Sequence, residues 1–132
     1  MWTVRLVHAG GTVAICIERE FHREMAVGVE RLKCEIGYNP VRFTQMMAEH
    51  RGHEAARQLL RSNATSDRFA TLWEANRLEM SIEAAALLPW YQSLFLDEHR
   101  AVARKRLLEQ NFAVDEFLKI QTNPPPRWTC DH

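Results

Sequence analysis

An all-α domain of five to seven short helices is what this sequence predicts, and three observations carry that prediction. Apolar residues recur at three- and four-residue spacing, as at Phe21, Met25, Val29, Leu32 and Ile36. Helix start and stop residues punctuate the pattern at Gly37, Asn39-Pro40, Gly52, Ser66, Asn76 and Ser81. One stretch, Ser81 to Leu88 (SIEAAALL), is apolar on nearly every side and belongs at the centre of a core.

In chain order, Trp2 to Ile17 holds two β-branched runs around His8-Ala9-Gly10-Gly11 and reads as a hairpin or a loose arm. A competing reading extends the next helix backwards along Val13, Ile17, Phe21 and Met25. From Glu18 the pattern is helical up to Gly37. Asn39 as N-cap and Pro40 at the first helical position start a second helix, with Phe43, Met46, Met47 and His50 on its apolar arc and Gly52 as its break. A third helix, His53 to Arg61, buries Ala55, Ala56, Leu59 and Leu60 and turns Glu54, Arg57 and Arg61 outward.

Ser66 or Asp67 caps a fourth helix whose buried arc is Phe69, Leu72 and Trp73, and Asn76 stops it. Ser81 caps the central helix, where Glu83 faces the positive end of the helix dipole. Trp73, Trp90, Tyr91 and Phe95 are expected to wrap this helix. Asp97 caps the next helix, Asn111 closes it, and a last one runs from Val114 to Ile120. The tail contains Pro124, Pro125 and Pro126 and is read as extended or disordered. The domain organisation is an arm over 1–20, a helical domain over 21–120 and a proline-rich tail over 121–132.

Seventeen Lys and Arg balance seventeen Asp and Glu, so no overall field draws the molecule to nucleic acid or an acidic membrane. Cys16, Cys34 and Cys130 are odd in number and widely spaced, which suits reduced thiols better than a disulfide framework. No signal-peptide pattern and no run of apolar residues long enough to span a bilayer are present. The expectation is a soluble, cytoplasmic protein without a membrane partner.

Few residue sets carry chemistry. Glu49-His50-Arg51-Gly52-His53 offers two histidines beside a carboxylate, but Gly52 interrupts the helix that would align them and the order is not HExxH, so a core or helix-end histidine is the preferred reading. Cys130-Asp131-His132 holds a nucleophile and a base at the end of the tail, where nothing fixes a reacting geometry. Cys16 and Cys34 read as buried fillers, and Gly10-Gly11-Thr12 lacks the lysine of a phosphate loop. Glu18, Glu20, Glu24, Glu30 and Glu35 alternate with Arg19, Arg23, Arg31 and Lys33, the pattern of a solvated face with weak pairs. On a helical wheel Arg100 and Arg104 fall beside Leu107 and Leu108, as structural arginines paired with acids such as Glu74 or Glu79 or as the lining of a groove; Lys105 and Arg106 project elsewhere.

Several motifs in fixed order, Gly37-Tyr38-Asn39, Glu49 to Leu60, Leu72-Trp73-Glu74, Arg77-Leu78 and Ala103-Arg104-Lys105-Arg106-Leu107, resemble a small bacterial helical domain. That domain occurs alone or appended to nuclease-like and other defence-associated proteins. The likeness covers about Phe21 to Phe112 and brings no known reaction with it. Where the resembling sequences carry glycine, this chain has Arg51 and either Asn76 or Asn111, which implies strained turns there. Residues 1–20 lie outside the likeness and are read as an addition or as translation from an upstream start codon.

The function expected is therefore a non-enzymatic interaction or accessory module that docks on a protein partner, with a link to bacterial defence or mobile elements implied by the resemblance. No catalytic residue, metal ligand or cofactor is assigned. The alternative is nucleic-acid binding by a local basic groove of Arg57, Arg61, Arg100, Arg104 and Lys105. A small enzyme or toxin is a second alternative.

Overall fold

Seven α-helices and two 3-10 turns make up residues 9–62 and 66–121, which this computed structural model describes, with side chains from residue 17 onward. No strand occurs among the described residues. In chain order the helices are α1 (Ala9–Ile36), α2 (Val41–His50), α3 (Gly52–Arg61), α4 (Asp67–Glu74), α5 (Ile82–Ala86), α6 (Asp97–Glu109) and α7 (Val114–Ile120). The 3-10 turns are Leu78–Met80 and Pro89–Leu94.

The apolar stripe of α1 lies inward, with Phe21, Met25, Val29 and Leu32 all buried. Phe21 meets Tyr91 edge-on at 4.9 Å between ring centroids and Phe95 at 5.5 Å, so three aromatic rings tie α1 to the segment after α5. The hairpin expected around Gly10-Gly11 is not found, because the backbone is already helical at Ala9 and the competing extension holds over 9–17. Each glycine costs a helix about 1 kcal/mol. A lone hairpin would need a packing face of its own, whereas adding turns to a formed helix needs no new nucleus. Trp2 to Val7 and the tail from Thr122 lie outside the described residues.

α5 is the centre, as its composition implies. Its five residues are all buried, it packs against α6, and Ser81 caps it by accepting from the Ala84 amide at 3.1 Å while donating to the Leu78 carbonyl at 2.7 Å. Tyr91 and Phe95 close over the core, and Trp90 is partly buried. Trp73, expected there too, is 51% exposed. The buried arc of α4 keeps Phe69 and Leu72 but takes Arg68 in place of Trp73, a small rotation of the helix toward its Arg68 side.

Helix ends follow the punctuation with small shifts. Ser66 caps α4 through the Phe69 amide at 3.1 Å. Asn39 does not cap α2, which starts one residue later with Pro40 at the N-cap and no side-chain bond. Leu96 rather than Asp97 precedes α6, and its amide donates to His99 Nδ1 at 3.1 Å. Asn76 and Asn111 both sit at φ 60, and in each turn the following amide reaches back to Leu72 at 2.7 Å or Leu107 at 3.0 Å. Arg51 (φ 73, ψ 164) separates α2 from α3 in a region occupied almost only by glycine. Next to it, a Cβ on Gly52 would stand 2.9 Å from the His22 backbone, while its amide donates to His22 Nδ1 at 2.8 Å, so glycine is required for α3 to dock on α1.

Candidate functional site

The charged groups of the core define the site. Glu83 is 3% exposed, and its carboxylate accepts from Arg106 Nη1 at 3.1 Å. Arg106 also donates to the Leu59 carbonyl at 3.1 Å and to the Ser62 carbonyl, so an arginine of α6 satisfies carbonyls at the C-terminal end of α3. Burial pushes the Glu83 carboxyl up, opposed by its own amide and by Arg106. Glu83 does lie in the first turn of α5, and the same carboxylate also anchors α6.

This arrangement corrects the wheel drawn from sequence for α6. That wheel centred on Leu107 and Leu108 and sent Arg106 outward, but Leu108 is exposed while His99, Ala103, Arg106 and Leu107 are buried. α5 and α3 both pack on α6, and together they draw a different arc inward. Arg104 pairs with Asp115 of α7 at 3.3 Å, Arg100 is partly buried, and neither meets Glu74 or Glu79.

Arg68 is the group that reading the sequence missed. It is 4% exposed, its guanidinium lies over the Phe43 ring at 4.8 Å from the centroid, and Nε and Nη1 have no hydrogen-bond partner among the described residues. Burial lowers its pKa to about 10, with Glu83 and Tyr38 opposing, so it stays charged at neutral pH. The available signal was its spacing of four from Leu72, which puts both on one face. Two clefts meet at this residue. One, of about 460 Å³, runs beside α1 and the segment Glu79–Leu88; its apolar surface comes from Met25, Val27, Met80, Ala85 and Leu88, and its charged lining from both signs. The other, of about 590 Å³, lies between α2 and the start of α4, with Tyr38, Arg42, Phe43 and Ser66 among its walls.

The charged face of α1 is only partly the solvated face expected. Lys33 with Glu30 and Arg31 with Glu35 are exposed pairs, and Glu35 also holds Arg77, which keeps its carboxyl below the ordinary value. Glu20, however, is buried and bonded to Arg23 at 3.3 Å. Burial raises the Glu24 carboxyl, while its bond with the Tyr91 hydroxyl opposes that rise and the Glu20 charge adds to it.

Histidines serve packing and capping. His50 is exposed beside Glu49 at 3.8 Å rather than in the apolar arc of α2, whereas His53 is buried with Nε2 at 3.6 Å from Glu18 of α1. The two share no carboxylate, and no group of three potential metal ligands occurs among the described residues. Cys34, expected as a buried filler, is exposed. The Cys16 side chain and the whole of Cys130-Asp131-His132 lie outside the described residues.

Of the basic groove proposed from sequence, Arg57 and Arg61 come together with His99 on a small cleft of about 350 Å³. Arg57 donates to the Leu94 carbonyl at 2.8 Å, and both arginines bind Glu54, at 3.3 and 2.8 Å. Burial alone would raise the Glu54 carboxyl, but Arg61 and Arg57 hold it below its ordinary value. Arg104 is tied to Asp115, and Lys105 is exposed. No helix among the described residues is long and apolar enough to cross a membrane. No family model, curated protein or solved structure matches the chain.

Proposed function

We propose that this chain is a non-enzymatic helical binding module that docks a protein partner in the cleft beside α1. One observation carries the reading: the cleft joins an apolar floor, including the half-exposed Val27, to a rim of both charge signs. Apolar centres ringed by polar groups are how protein interfaces are built. Acid–base groups elsewhere are engaged in the fold, since the His22 and His99 Nδ1 atoms accept backbone amides and Glu83 is held by Arg106. The resemblance to domains appended to nuclease-like and defence-associated proteins points to such a protein as the partner. Three of the five groove cations are occupied by Glu54 or Asp115, which favours a protein over a nucleic acid.

Affinity capture with the chain and with Val27→Glu tests the reading. A partner recovered by the first and lost by the second, with the helical circular dichroism unchanged, is the expected result. A salt-sensitive gel shift with DNA or RNA, weakened by Lys105→Glu, would instead place the nucleic-acid alternative first.

A further inference from the structure

Arg68 poses a charge problem inside the core. Two guanidiniums, Arg68 and Arg106, face one buried carboxylate, Glu83, and that carboxylate is hydrogen-bonded to Arg106. Arg68 therefore keeps a positive charge with its Nε and Nη1 hydrogens unmet by any described residue, a costly state unless an acceptor arrives. Its Nη2 lies at the wall of the α1 cleft: a Cβ built on Gly28 would stand 3.9 Å from that nitrogen, with nothing else within 4 Å. The one glycine in the middle of α1's inner half thus leaves the guanidinium tip open to the cleft.

Resting on the cleft reading above, we propose that Arg68 captures the C-terminal carboxylate of the partner, whose apolar last side chain occupies the floor formed by Met25, Met80, Ala85 and Leu88. Charge and shape select this occupant. One unmatched guanidinium calls for one negative charge, and its planar fork fits a carboxylate bidentately. A phosphate dianion would exceed that charge, because the other cations of the cleft, Arg23 and Arg31, are already paired with Glu20 and Glu35 while Glu24 and Glu79 add negative charge to its lining. With Arg68 only 4% exposed, a chain end reaches it more readily than a continuing backbone, whose own N–H and C=O groups would need partners in the apolar floor. A terminal residue brings the carboxylate and the apolar side chain in a single unit.

Calorimetric titration of the full chain with an N-acetylated tripeptide ending in leucine tests this, with three competitors: the same peptide as its C-terminal amide, a peptide carrying glutamate internally, and octanoate. The free acid should bind about tenfold or more tightly than the amide, as loss of a charged hydrogen-bond acceptor dictates. Arg68→Lys, which keeps the charge and removes the fork, should lose most of that preference. If Arg68→Lys unfolds, Gly28→Leu supplies the answer, since the new side chain would fill the space beside Nη2 in a helix that accepts it; binding should vanish with the thermal midpoint retained.

Equal binding of acid and amide, binding of the internal glutamate peptide or of octanoate as tight as that of the free acid, or a Gly28→Leu variant that binds as before would each overturn the proposal. The two readings fail separately. A partner lost by Val27→Glu but indifferent to the free-acid peptide sinks the carboxylate while leaving the docking cleft. Tight free-acid binding without any Val27-dependent partner supports the carboxylate and sinks protein docking.

Discussion

Arg51 shows how much one residue can hold. It occupies backbone angles that cost a side-chain-bearing residue about 1–3 kcal/mol, and the neighbouring Gly52 fixes it there by its contact with His22. Arg51→Gly should therefore raise stability by about 1–3 kcal/mol in urea unfolding. No gain would show that the turn has relaxed to ordinary angles. Arg106 is the opposite case, because it binds Glu83 and two carbonyls near the end of α3 at once. Arg106→Met should cost about 3–5 kcal/mol, the usual loss when one partner of a buried pair is removed. Adding Glu83→Leu should recover only part of it, since the bonds from Arg106 to the Leu59 and Ser62 carbonyls stay lost. Trp73→Ala, by contrast, should cost less than about 1 kcal/mol, because half of that side chain already faces water.

At the scale of elements, α6 links structure to pH. His99 caps the helix by accepting the Leu96 amide on Nδ1, which requires the neutral ring, and burial holds its pKa below the ordinary value, with Arg61 and Arg57 adding to the effect. Burial does the same to His53, against the pull of Glu18. Since both values are depressed in the folded state, the unfolded chain takes up protons first as pH falls. Their contribution is complete above about pH 6.5 and is lost as pH drops towards the folded values. His99→Gln should keep the cap, because glutamine at that position can accept the same amide, and should flatten the decline measured by urea midpoints between about pH 7 and 5. An unchanged decline would remove His99 from the linkage.

Elements were legible where a local signal fixes them. The central helix with its Ser81 cap, the Ser66 cap, the asparagine turns and the last helix all follow from side chains acting on their own backbone. What escaped is set by neighbours. Arg106 faces inward because α3 and α5 both cover α6, and Arg68 because the buried arc of α4 extends to its side rather than to Trp73. An arginine buried without an acceptor has no sequence signature beyond an apolar residue four places on. Composition put the charges in balance but not in place.

At the scale of the whole molecule, α1 is both scaffold and site, for its inner stripe builds the core while Val27 and Gly28 line the cleft. The aromatic cluster that ties α1 to the core is built on Phe21, so deleting residues 1–16 should leave cooperative thermal unfolding intact. A non-cooperative melt would show that the first helical turns complete the core. The claim on which everything functional depends is that the cleft beside α1, with Arg68 at its end, receives the partner. Nuclear magnetic resonance of the ¹⁵N-labelled chain, titrated with the leucine-terminated free-acid peptide, tests it most directly. The result expected is shifts at the amides of Met25 to Arg31 and Glu79 to Leu88 and at Arg68 Nε–H, with the amides of Arg57, Arg61, Arg104 and Lys105 unmoved. Shifts centred on those basic residues, or none at Arg68, would contradict it.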